Sequence, residues 1–256
     1  MVDVLACIKR VPDTGAKIVL TDDKQDIDAG NLGFTMSPHE ECAIEEAVQQ
    51  VETHDGSATV LTLGPDEAAE QLRTGLAMQA DEAVLLETEG EEWTPRQTAN
   101  AIANQIKSEG EVPFDLLLFG NESADQENYQ VGLRVAESLD LPCVTGIKDL
   151  ELDGDTAIAK REVSGGDEVY EVDLPAVVTV KEGINSPRYA SMRARMQARK
   201  QEVDRAKPVA GEHAGTFEKV ELESPDEGQE EAEVLGEGPE AAPEVVRILQ
   251  DEVEVL

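Results

Sequence analysis

The sequence predicts an α/β fold: a mainly parallel, doubly wound sheet of the Rossmann-like, adenine-nucleotide-hydrolase-like kind, with an antiparallel ribbon and an acidic tail. Three observations carry this. Short apolar runs stand at 2–8 (VDVLACI), 58–63 (ATVLTL), 83–86 (AVLL) and 115–119 (DLLLF), the pattern of strands buried on both faces. Stretches with helical periodicity separate them, and strand–helix alternation at this spacing implies right-handed crossovers. After residue 147 the pattern changes to alternating segments joined by DG and GG pairs, which reads as ribbon with tight turns.

Taken in order, the first helix follows SPHE. Ser37 caps it, Pro38 suits its first position, Glu40 completes a capping box, and Ile44, Ala47, Val48 and Val51 form the buried stripe. The second buries Ala69, Leu72 and Leu76. The third buries Ala99, Ile102, Ala103 and Ile106, and a fourth, from about 127 to 139, buries Val135, Ala136 and Leu139. The ribbon gives way to one more buried strand, PAVVTV, at 175–180. From about 203 the chain is rich in acid, Gly and Pro until PEVVRILQDEVEVL, where Val245, Ile248 and Leu249 stand at helical spacing: a linker ending in a short amphipathic helix. The expected organisation is therefore a nucleotide-binding domain over 1–183, a basic segment over 184–203, and an acidic linker with its terminal helix over 204–256.

Composition narrows the function. With 56 acids against 21 bases the formal net charge is −35. Such a field argues against nucleic acid as a partner, and its spread along the whole length reads as a solvated shell suited to a halophile cytoplasm. No run of about 18 apolar residues is available to span a bilayer, and VDVLACI lacks the flanks of a signal peptide, so a cytoplasmic protein without membrane insertion is expected. Cys7, Cys42 and Cys143 are far apart, with no CxxC and only three histidines, which argues against disulfides, zinc and iron–sulfur clusters.

Two segments invite a functional reading. Ser164-Gly165-Gly166-Asp167 has the look of a pyrophosphate-binding loop of ATP-pyrophosphatase-like enzymes. Such a loop follows the first parallel strand and opens a helix, whereas this one joins two ribbon strands and reads as a hairpin turn. GNESADQENYQVG (120–132) packs polar side chains between a strand's carboxyl end and a helix start. There, amides around Gln130, Val131 and Gly132 meet a phosphate, Gly132 permits close approach, and Asn128 or Gln130 bonds a base or ribose; the alternative is an ordinary polar loop.

Several segments in order, VLACIKRVPDT, SPHEECAIEEAV, LRTGLAMQAD, KREVSGGDEVYEVDLPAVVTV and INSPRYASM, resemble the β subunits of electron transfer flavoproteins over roughly residues 1–203. The resemblance implies an electron carrier with no catalysis of its own. It implies a heterodimer with an α subunit that holds most of an FAD, electrons taken from acyl-CoA or other dehydrogenases, and a quinone-linked or ferredoxin-type acceptor. Carried over residue by residue, the family's nucleotide pocket falls on Cys7; on Ser37, Pro38, His39 and Glu40; on Leu63; and on Asp125, Gln126, Glu127, Asn128, Tyr129, Gln130, Val131, Gly132, Leu133, Arg134, Val135 and Ala136. One branch of the family keeps AMP there and another a second, bifurcating-type FAD. Thr14, where the AMP type tends to have a tyrosine beside the flavin, together with CIKRVPDT, Met192-Arg193 and Gln130-Val131-Gly132, leans toward the second branch, while Asn128 and Tyr129 match neither.

The segment 184–200, INSPRYASMRARMQARK, carries Arg188, Arg193, Arg195, Arg199 and Lys200 without an acid after Arg188. Read alone it is a solvated charged face. By resemblance it is the loop that recognises the dehydrogenase, with Arg188, Tyr189, Met192, Arg193 and Arg195 as contacts and Met192 as an adaptable anchor with no helical stripe to bury it. The rival reading, a stand-alone adenine-nucleotide sensor of universal-stress type, needs a glycine-rich phosphate loop late in the sheet and has no use for this island.

Overall fold

The computed structural model describes residues 1–13, 15–107, 112–209, 211, 219–224, 234–253 and 255. Strand β1 (Val2–Ile8) runs up the centre of a seven-stranded parallel sheet. A short antiparallel pair, β2 (Val11–Pro12) with β3 (Phe34–Thr35), lies between it and the first helix, α1 (Pro38–His54). Then follow β4 (Gly56–Gly64), α2 (Ala69–Ala77), β5 (Glu82–Glu87), α3 (Pro95–Ile106), β6 (Leu116–Gly120), α4 (Val131–Leu139) and β7 (Cys143–Ile147). The ribbon is β8 (Asp149–Asp153), β9 (Thr156–Val163) and β10 (Gly166–Asp173), and the sheet is completed by β11 (Ala176–Val180) and β12 (Asp204–Ala206), with α5 (Met192–Ala198) between them; α6 (Ala242–Asp251) ends the chain's helices.

The sheet order is β12-β5-β4-β1-β6-β11-β7, and every pairing is parallel. β1 shows why. Val4, Ala6 and Ile8 point into the core under α1, α2 and the ribbon, whereas Leu5 and Cys7 point into the core under α3 and α4. A strand buried on both faces needs a largely apolar run, and VDVLACI supplies one, interrupted only by half-buried Asp3 near its amino end. The predicted stripes are buried, except that Val51 is only partly so: Ile44, Ala47 and Val48; Ala69, Leu72 and Leu76; Ala99, Ile102, Ala103 and Ile106; Val135, Ala136 and Leu139. Successive strands move from β1 to β4 and β5 on one side, then cross to β6 on the other, so the order reverses between β1 and β6. The crevice outside the carboxyl ends of such strands is where ligands of open α/β sheets bind.

The structure departs from the sequence reading at four places. The fourth helix starts at Val131 because Glu127 and Tyr129 adopt left-handed backbone (φ 48° and 54°), which no helix accommodates. The edge strands β7 and β12 join the sheet from stretches without a long apolar run. β12 thus draws Asp204–Ala206, expected in the acidic linker, into register with Val84–Leu86. In the basic segment, Ser191 caps α5 by accepting from the Ala194 N–H at 3.1 Å, and α5 packs on α2 through buried Ala198. Ala198 is the one buried residue of α5, and Met192, as expected, is not buried by the helix: it is 75% and Met196 60% exposed. Ser164 and Gly165 form the turn between β9 and β10, as read. No helix among the described residues is long and apolar enough to cross a membrane.

Candidate nucleotide cavity and docking segment

A cavity of about 300 Å³ opens along the carboxyl edge of the sheet. Its floor is laid by the ends of the strands: Thr88 after β5, Leu63 and Gly64 on β4, Cys7 and Ile8 on β1, Phe119 and Gly120 on β6, and Thr179 on β11. Loop 121–130 walls the β6 side and loop 90–95 walls the β5 side.

The two central loops are tied to each other by polar contacts. Lys9, just beyond β1, reaches across to loop 121–130, where its Nζ pairs with Asp125 at 2.7 Å and donates to Gln126 Oε1 at 3.1 Å. Ser37, at the start of α1, is buried, and its Oγ accepts from the Ala124 N–H at 2.9 Å. Glu40 closes its half of the predicted capping box by accepting from the Ser37 N–H at 2.7 Å. Gly120 is required where β6 meets α1: a Cβ there would lie 2.8 Å from Glu40 Cγ. Burial lifts the Glu40 carboxyl to about 7, against opposing contributions from the Ser37 hydrogen bonds and the Lys9 charge. Burial likewise pushes the Cys7 thiol far up, so Cys7 is an inert apolar wall.

Among the described residues lining the cavity Lys9 is the one cation, facing the carboxyl groups of Glu40, Glu91, Glu92, Glu122 and Asp125. An anion entering here is met chiefly by backbone dipoles. The first amides of α4 are available for that role, because Gln130 at the helix start places no side-chain cap on them. Its side chain instead accepts from Arg134, at 2.8 and 3.1 Å. The cavity therefore offers hydrogen-bonding groups on its β6 side and apolar surface, from Pro65, Trp93, Pro95 and Ile102, on its β5 side.

Of the residues singled out from sequence, Cys7, Glu40, Leu63, Asp125, Gln126, Asn128, Tyr129, Gln130, Val131 and Gly132 line this one cavity. Ser37, Pro38 and His39 stand behind it. His39 has both ring nitrogens engaged: Nδ1 accepts from the Glu182 N–H at 2.8 Å, which puts the proton on Nε2, 3.1 Å from Glu122 Oε1. Val135 and Ala136 are core residues, Leu133 is 46% exposed, and Glu127 and Arg134 lie outside the lining. Thr14 lies outside the described residues. The close approach at Gly132 is to the sheet: a Cβ there would lie 3.1 Å from Thr179 Cγ2 and 3.2 Å from the Phe119 ring. Lys9, Thr88, Trp93 and Thr179 escape the sequence reading, and Asn121 belongs to the 120–132 loop without being singled out within it. The position of Lys9, Thr88 and Asn121 just past strand ends was the available signal; Trp93 offered none beyond being the chain's one tryptophan.

From β11 to α5 the chain is strapped across α1. Asn185 Nδ2 donates to Cys42 O at 3.0 Å and Glu46 Oε2 at 2.9 Å. Arg188 donates from its own backbone N–H and from Nε to Glu45 Oε2, both at 2.9 Å, and grips Glu52 at 2.8 Å. The Glu45 side chain is 4% exposed. Burial pushes its carboxyl upward, and the Arg188 hydrogen bonds outweigh that, leaving it below the ordinary carboxylate range. Beyond this clasp Tyr189 and Met192 stand exposed, and the Arg195 guanidinium lies 4.8 Å from the Tyr189 ring centroid.

The electron transfer flavoprotein domain family matches residues 27–210. The electron transfer flavoprotein subunit beta of Bacillus subtilis is 35% identical, over 99% of this chain and 100% of that one. The subunits of the same name from Syntrophomonas wolfei and Homo sapiens are 39% and 34% identical, over 82% and 80% of this chain and 81% of each of theirs. The chain belongs to the electron transfer flavoprotein family, among its beta subunits.

Proposed function

We propose that this chain is the half of a heterodimeric electron carrier that holds an adenine nucleotide, either AMP or the AMP half of a second FAD, and presents a docking segment to dehydrogenases. The observation that carries the reading is the cavity at the reversal point of the sheet, with uncapped α4 amides on one side and, on the other, the apolar surface of Pro65, Trp93, Pro95 and Ile102 beside the Glu91 and Glu92 carboxyls. That pairing suits a ligand with an anionic end and a flat apolar end, and the lone lysine suits one held mainly by N–H dipoles. An α subunit holds the redox FAD, and that flavin, when bound, supplies the electron-accepting chemistry. The contribution of this chain is to bind, orient and dock.

Docking is assigned to the surface beyond the Arg188 clasp. Tyr189, Met192 and Met196 offer apolar contact, Arg193 and Arg195 frame it, and the body behind carries a net charge of −35. A positive, adaptable patch lets an acidic partner approach where the two bodies would otherwise repel. Helix α6 buries none of its side chains, which supports the α subunit as its cover. The donors in this reading are acyl-CoA or other dehydrogenases, the acceptor is quinone-linked or of ferredoxin type, and the charge favours a salt-rich cytoplasm. Co-expression with the α partner, followed by quantification of flavin and AMP per heterodimer, tests it. One FAD with one AMP, or two FAD, is expected; a heterodimer with one FAD and no other nucleotide would rule it out.

A further inference from the structure

We infer that the β5 side of the cavity seats the base of the bound nucleotide against the indole of Trp93. The inference rests on the adenine-nucleotide reading and adds to it the residue that selects a planar ring. Trp93 is the chain's one tryptophan, in a sequence with only 3% aromatic residues, and it lines the cavity while packing partly buried on the core cluster that contains Ile102. Its ring is held before any ligand arrives. Nε1 donates to Glu91 Oε1 at 2.8 Å, and Glu91 is itself fixed by accepting from the Glu89 N–H at 2.9 Å.

The neighbours on either side are held as well. Glu92 pairs with Lys219 at 2.5 Å. Thr94 caps α3, where Gln97 closes the box by accepting from the Thr94 N–H at 2.9 Å while its own N–H donates to Thr94 Oγ1 at 3.2 Å. A tryptophan placed only to fill the core would be sealed in; this one keeps surface in a cavity whose opposite wall carries hydrogen-bonding groups and helix amides. Pre-positioned aromatic faces bind bases by stacking with little ordering cost. The arrangement thus divides the ligand, with the ring on the β5 side and the charged end on the β6 side.

The test uses the full chain in concentrated salt with AMP as the probe, and measures binding by equilibrium dialysis and by the fluorescence of the single tryptophan. Saturating AMP is expected to quench or shift the wild-type emission. Trp93→Ala should weaken AMP binding at least about fivefold, the lower bound for losing one base–aromatic stack, and Trp93→Phe should stay within about threefold of wild type. Emission that does not respond at saturation, or Trp93→Ala binding equal to wild type, overturns the inference while leaving the nucleotide reading intact. Trp93→Phe as weak as Trp93→Ala overturns it too, because the Glu91 hydrogen bond and not the ring face would then matter. A wild-type chain that takes up no AMP instead overturns the nucleotide reading on which the inference stands.

Discussion

Glu40→Gln offers the sharpest physical test of the cavity's construction. Glu40 is 5% exposed, and its carboxyl sits at about 7 in the folded chain against 4.5 for an ordinary glutamate, chiefly through burial. Between those two values the folded state keeps a proton that the unfolded state has released. The stabilisation is therefore fully present below about pH 4.5 and is lost as pH rises through about 7. At about 1.36 kcal/mol per unit, the wild type forfeits roughly 3 kcal/mol above neutrality. Glutamine is nearly isosteric, stays neutral, and retains a carbonyl to accept the Ser37 N–H. The variant should match wild type near pH 4.5 and exceed it by roughly 3 kcal/mol near pH 8, at roughly 2–4 °C in Tm per kcal/mol for a chain of this size. Thermal unfolding of both chains across that range, in constant concentrated salt, supplies the difference; the many other carboxylates titrate alike in both and cancel. Because Glu40 lines the cavity, an anion bound there favours its protonated form, so AMP binding by wild type should strengthen as pH falls through 7 and the variant should lose that trend. A stability difference that is independent of pH, or that favours wild type above neutrality, would refute the reasoning.

Arg188→Ala leaves the buried Glu45 carboxylate without its partner and should destabilise the chain by about 3 kcal/mol, the lower part of the range for breaking a buried pair because Arg188 keeps some solvent contact; denaturant unfolding checks it. With the sign fixed by the lowered Glu45 pKa, that clasp contributes above the ordinary glutamate range and is lost on acidification, so the penalty should shrink as pH falls. Gly132→Ala presses a methyl onto Thr179 and Phe119 and should lower Tm by an amount equivalent to about 1 kcal/mol, overpacking partly offset by better helix propensity; an unchanged Tm would show that the helix shifts freely. Met192→Glu should slow electron transfer from a dehydrogenase at subsaturating concentration while flavin content and heterodimer stability hold, and equal rates would make the segment an ordinary solvated face.

What the sequence disclosed and what it withheld follow one physical line. β1, β4, β6 and β11 are buried on both faces, so their largely apolar runs stand out, and α1 is announced by Ser37-Pro38 and Glu40. β7 and β12 escape notice because an edge strand is paired on one side only, and three residues such as Asp204–Ala206 form a strand only because β5 is there to receive them. The cavity follows the same rule. Residues on the loop after β6 are legible, since a polar run between a strand end and a helix start has a known use. Trp93 comes to the cavity by tertiary placement, from a loop whose local sequence carries no ligand signal, and Lys9 is marked only by its place just past β1. The Arg188 clasp is the clearest case: a run of cations reads as one surface, yet Arg188 turns inward to Glu45 while Arg193 and Arg195 do not, a distinction set by the face of α1 it crosses.

The central claim is that this chain keeps an adenine nucleotide in the cavity between the ends of β5 and β11 while its α partner holds the redox flavin. Purification of the heterodimer, release of its ligands by gentle denaturation, and chromatographic quantification of AMP and FAD against protein tests that claim most directly. Two adenine nucleotides per heterodimer are expected, either one FAD with one AMP or two FAD. A single FAD with no second nucleotide, from a heterodimer that still accepts electrons, would contradict it.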